Sequence, residues 1–114
     1  MLDQLIKRTF KARDAAHARH WTTQLNSQHE ALGEFYESVI TALDKYAEAH
    51  QGIFGQMKRA PSEVDDTAAL LSDELIWLTE NRSKISKSVP ALENLLDELT
   101  SIYMKTLYKI ENLR

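Results

Sequence analysis

Four histidines, His17, His20, His29 and His50, fall within the first fifty residues of this 114-residue chain, and none follows them. Beside them runs an acidic ridge of Glu30, Glu37, Asp44 and Glu48. Imidazole and carboxylate together are the donors that non-haem iron or a similar divalent cation takes. Asp44 and Glu48 stand four residues apart, so on a helix both carboxylates can reach one ion. Each type also has a plainer use. A histidine on an apolar helix face is commonly a hydrogen-bonded core residue, and an acidic ridge is commonly a solvated face. The chain has no cysteine, which excludes disulfides, thiolate zinc sites and thiol catalysis. It contains no nucleophile motif, glycine-rich phosphate loop, His-Glu-x-x-His signature or EF-hand loop.

The elements that must position these residues read as four amphipathic helices, at about 2–25, 28–50, 63–87 and 90–113. The first gathers Leu2, Leu5, Ile6, Phe10, Ala12, Ala16, His17, His20 and Trp21 on one broad face. Ser27-Gln28-His29-Glu30 has the pattern of a capping box opening the second helix, and Gly52 is its expected stop. That helix carries the apolar arc Leu32, Phe35, Tyr36, Val39, Leu43 and Tyr46, with the acidic ridge alongside. Residues 51–61 are the one substantial loop. Ser62-Glu63-Val64-Asp65 predicts the start of the third helix, with an acidic first turn. Its apolar residues, Val64, Ala68, Leu71, Leu75, Leu78 and Ile85, repeat at heptad spacing broken by Arg82. Pro90 suits the first turn of the fourth helix. Leu92, Leu96, Leu99, Tyr103, Ile110 and Leu113, flanked by Leu95 and Ile102, form its apolar side, and Lys105, Lys109 and Arg114 suit the dipole of its last turns.

Three glycines, two prolines and 27% charged residues fit an all-α chain. The expected architecture is a single four-helix bundle, roughly 35 Å long at the rise of an α-helix. Apolar runs are far shorter than the ~20 residues that span a bilayer, so no membrane partner is expected. The start, Met1 to Arg8, interleaves charges and lacks the pattern of a secretory signal, which predicts a cytoplasmic protein. Net charge is −3. Basic residues concentrate in 1–25 and acidic ones in 29–50, which predicts complementary charge between neighbouring helices. Five basic residues on one helix without interleaved aromatics make a poor nucleic-acid footprint. Tyr46, Tyr103, Tyr108, Trp77 and Phe54 exceed what one slender bundle needs inside, which predicts a homo-oligomer, a dimer or larger.

The segment His17 to Glu48 resembles the core of the Dps family of mini-ferritins within the ferritin-like superfamily. The resemblance is carried by His17-Ala18-Arg19-His20-Trp21, by His29-Glu30, and by Asp44 and Glu48 in that order. It extends to short ferritin-like proteins of bacteriophages through the His29-to-Tyr36 run and Gln51-Gly52-Ile53-Phe54-Gly55. The resemblance implies a ferritin-like bundle and an intersubunit metal site for Fe, Mn or Zn. His20 and His29 would come from one chain and Asp44 and Glu48 from its two-fold partner. The site would bind, and in that family oxidise or sequester, Fe(II). Where the family has a further Asp ligand, this chain has Gly33, and Glu37 one turn on is its substitute. The family's long connection between its second and third helices is here about eleven residues, which leaves an up-down-up-down bundle as alternative connectivity. The family's lysine-rich DNA-binding tail is absent. A second function stands beside the first: a non-catalytic helical module, such as a phage-encoded adaptor or inhibitor of a host protein, that keeps the fold and has lost the site.

Overall fold

The computed structural model describes residues 1–65 and 68–112. It contains α1 (Leu2–Thr22), α2 (Asn26–Phe54), α3 (Ala68–Glu80), α4 (Arg82–Ser86) and α5 (Pro90–Asn112). All regular structure among the described residues is helical, as expected, with five helices in place of four. The chain divides into two compact units, Met1–Val64 and Asp65–Arg114. In the first, α1 packs along α2; in the second, α3 and α4 pack along α5. No helix among the described residues is long and apolar enough to cross a membrane. Leu113 and Arg114, assigned above to the last turns, lie outside the described residues.

In the first unit, α1 ends at Thr22, short of the predicted residue 25, because Thr23 and Leu25 are extended. The chain is then already helical at Asn26, so Ser27 is not a cap and the expected capping box does not form. Thr23 Oγ1 instead donates to Gln28 Oε1 at 2.8 Å, and Asn26 Nδ2 donates to Glu30 Oε1 at 3.4 Å. Gly52 does not stop α2, which runs on to Phe54. The stop is Gly55 at φ 102°, a backbone conformation that favours glycine. Gln51 braces this end, donating to the Ala47 carbonyl and accepting from the Met57 N–H.

Ser62-Glu63 does not open a helix either. The Ser62 N–H donates to Asp3 Oδ1 at 3.1 Å, and its hydroxyl accepts from Lys7 Nζ at 2.9 Å. Glu63 sits at φ 70°, outside the helical region. The segment is a turn pinned to the first turns of α1. Lys7 also pairs with Asp3, and Arg13 with Asp14, so the ion pairs of α1 are internal to it. No ion pair joins α1 to α2 among the described residues, against the charge complementarity expected. Ile6, Ala16 and Leu43 are buried in this unit, whereas Trp21, assigned to the inner face of α1, is 72% exposed.

In the second unit Leu78 is buried and Leu71 and Leu75 half-buried, the inward side of the heptad pattern. The break at Arg82 has a structural use. A one-residue turn at Asn81 separates α3 from α4, where one continuous helix was predicted. Asn81 Nδ2 donates to the Trp77 carbonyl. Past this turn Arg82 grips α5, with two bonds of 2.8 Å to Asp97 and one of 2.9 Å to Glu93. Ser86, 2% exposed, donates to the Arg82 carbonyl. Lys87 and Ser88 take left-handed conformations, and the Ser88 N–H returns to the Ser83 carbonyl. This six-to-one closure ends α4, and Pro90 opens α5 as expected.

The forked Arg82–Asp97 bond holds the Asp97 carboxyl below its ordinary value and the guanidinium above its own. A depressed carboxyl stabilises the fold above its unfolded pKa, about 3.9, and that contribution is lost as pH falls further through the folded value. The acid transition of Arg82→Gln is therefore expected to be shallower below pH ~4 than that of the natural chain. Helicity followed by circular dichroism across pH 2–6 checks this, and superimposable acid limbs would remove the pair from the account.

Candidate histidine site

His20 lies in the last turn of α1 and His29 in the first turn of α2, and the extended link between the helices folds one back upon the other. Their bonds are reciprocal. His20 Nδ1–H donates to the His29 carbonyl at 2.6 Å, and His29 Nδ1–H donates to the His20 carbonyl at 2.7 Å. A carbonyl only accepts, so each Nδ1 carries the proton. In the neutral ring Nε2 is then left with its lone pair. The rings stack at 3.6 Å between centroids and 17° between planes.

Gly33 makes room for this pair. It sits one turn past His29, and a Cβ built there would lie 3.2 Å from His20 Cε1 and 3.4 Å from His20 Nδ1. The position read above as a missing ligand is thus occupied in space by the His20 imidazole. Tyr36 closes the other side: its ring stacks on His17 at 3.8 Å and 16° and meets His20 edge-on at 5.3 Å. His17 also lies 4.3 Å from the Trp21 ring. Tyr36 was read from sequence only as part of an apolar arc. Its signal was that it and His17 both belong to faces expected to meet. His50 stands apart on α2, 4.8 Å from the Phe54 ring and 6.0 Å from Tyr46, with a buried Nδ1 that has no hydrogen-bond partner among the described residues.

The carboxylates are elsewhere along the same helix. Asp44 is fifteen residues beyond His29, about 22 Å along α2, and Glu48 is one turn further. Glu37 lies about 12 Å from His29 by the same measure. All three are exposed. Within one chain His20 and His29 are brought together, while Asp44, Glu48 and Glu37 are not brought to them. No group of three or more His, Asp or Glu converges as a metal site among the described residues.

Residues 20–110 match the family of unknown function DUF5856, and the chain belongs to that family. The matched span begins at His20 and includes His29, Gly33, Asp44 and Glu48. No curated protein and no solved structure matches the chain.

Proposed function

We propose that this chain is a ferritin-like metal-binding protein whose His/carboxylate site is completed between two copies, with Fe(II), Mn(II) or Zn(II) as the cation. The observation that carries the reading is the pair of Nδ1–H···O=C bonds. Anchoring one ring nitrogen on a carbonyl is how ligand histidines are oriented, and it presents the other nitrogen to a cation. The donor chemistry of the four residues fits such an ion. Nearly parallel rings cannot aim both Nε2 lone pairs at one ion, so each imidazole suits its own cation. The carboxylates come from the second copy. A dyad crossing α2 near Tyr36 and Glu37 sets His29 opposite the other copy's equivalent of Asp44, because two-fold contacts are reciprocal. A four-helix bundle, ferritin-like in connectivity, belongs to this reading. When bound, iron would supply redox chemistry; the chain's own part is to bind and orient.

The test is elemental analysis and equilibrium binding on untagged protein with Fe(II), Mn(II) or Zn(II). Retained metal in the natural chain is expected, with affinity lowered at least ten-fold in both His20→Ala and Asp44→Ala, and a solution mass above that of one chain. No retention of any of the three metals at micromolar concentration would sink the reading. A second reading is a non-catalytic interaction module. It draws support from Gly33, which lodges the His20 ring, and from the two Nδ1–H bonds, which hold the pair without any ion. Under that reading His20→Ala would loosen the hairpin and change no metal content.

A further inference from the structure

α5 is apolar over a wider arc than its own unit covers. Leu107 is buried and Leu96 and Tyr103 are half-buried on the side turned to α3 and α4. A second stripe beside it stays open: Leu92 is 48% exposed, Leu95 61%, Leu99 45% and Ile102 62%. These four fall at alternating intervals of three and four residues, the a and d positions of a heptad seam. Glu98 and Lys105 both fall one residue before an a position, at g, and both are exposed.

The placement of these charges selects an occupant. In a parallel pair of helices g faces e of the partner, and the e positions here are Leu96, Tyr103 and Ile110, which offer no charge. In an antiparallel pair g faces g. Glu98 of one copy then meets the second copy's equivalent of Lys105, and the reverse contact repeats across the dyad. Like charges would meet in no g–g pair of that register. We infer that the open stripe of α5 is a self-association surface, on which a second copy of this chain lays its own α5 antiparallel, with a dyad close to Ser101. The surface stands independently of the histidine site, lying on the other compact unit.

The natural chain has no cysteine, so disulfide trapping is clean. In the double variant Glu98→Cys/Lys105→Cys the two thiols are seven residues apart on one helix, about 10 Å, too far to close on themselves. Mild oxidation of the full chain is expected to yield a covalent dimer from this double variant and little from either single variant. A parallel pairing sets g beside e and never beside g, so it would trap neither the single variants nor the double. Light scattering supplies the second arm: Leu95→Asp/Ile102→Asp should halve the mass of the natural assembly while leaving its helical content unchanged. Glu98→Lys should weaken association, and adding Lys105→Glu should restore it. Absence of the covalent dimer in the double variant, or trapping of the single variants, overturns the proposal. So does a folded Leu95→Asp/Ile102→Asp protein of unchanged mass.

Discussion

Replacing Leu43 by alanine is expected to destabilise the α1–α2 hairpin by about 2–5 kcal/mol, the range for deleting a buried leucine side chain. Leu43 is 7% exposed, among the most buried residues of its unit. No large side chain among the described residues is fully enclosed, so the hairpin has few other contacts to absorb the loss. Domains of this size are held by only about 5–15 kcal/mol in total. The substitution should therefore lower Tm by about 10 °C or more. It should also loosen α2 where Asp44 and Glu48 project. Thermal and urea unfolding of the full chain, followed at 222 nm, reads the effect. A loss below about 1 kcal/mol would mean that Leu43 is not a principal anchor of the hairpin.

His20→Ala is expected to cost about 1.5–2.5 kcal/mol in metal-free protein. It removes one hydrogen bond, worth about 1 kcal/mol net, and a ring pair worth about 0.5–1.5 kcal/mol. It leaves the His29 Nδ1–H bond to the backbone carbonyl of residue 20 in place. His29→Ala is the mirror case. Because the two rings share one stack, the two losses should not add. The double variant should be more stable than the sum predicts, by about 0.5–1.5 kcal/mol of coupling. Urea titration of all four proteins in the presence of chelator measures that coupling free of any metal. Additivity within about 0.3 kcal/mol would show that the rings do not act as a pair. Gly33→Ala probes the same contact from the other side. Alanine favours the helix by about 1 kcal/mol over glycine, but its methyl would press on His20 at 3.2 Å. The two effects oppose one another, so a net change well under the propensity gain is expected.

The helices were legible because their apolar residues recur at helical spacing, and Pro90 marked the start of α5 without error. The ends were not legible. Gly52 and Gly55 look alike in sequence, and only the latter needs a positive φ. Ser62-Glu63 carries the signature of a helix start, yet Asp3 and Lys7, some sixty residues earlier, hold it as a turn. Local preference was overridden by a distant bond. Arg82 was visible as a break in a heptad, but its grip on Asp97 depends on the turn at Asn81, which leaves no clear signal in residue type. At the site, periodicity placed His17 and His20 correctly toward α2 and placed Trp21 wrongly, because the edge of a broad apolar arc is not defined by spacing. The closeness of His20 and His29 followed from the short link between them. Their reciprocal bonds, and the role of Gly33 in admitting the imidazole, required coordinates.

The packing of neighbours on neighbours also has a consequence for how the chain is made. α1 rests on α2, and α3 and α4 rest on α5, so native contacts stay within each unit and loop closure is inexpensive in entropy. Helical topologies of this kind fold in microseconds to milliseconds. A ribosome adds about 5–20 residues each second, so residues 65–114 take about 2.5–10 s to synthesise. The unit bearing all four histidines can therefore fold while the unit bearing α5 is still being made. The histidine stack can be in place on the nascent chain before α5 is complete.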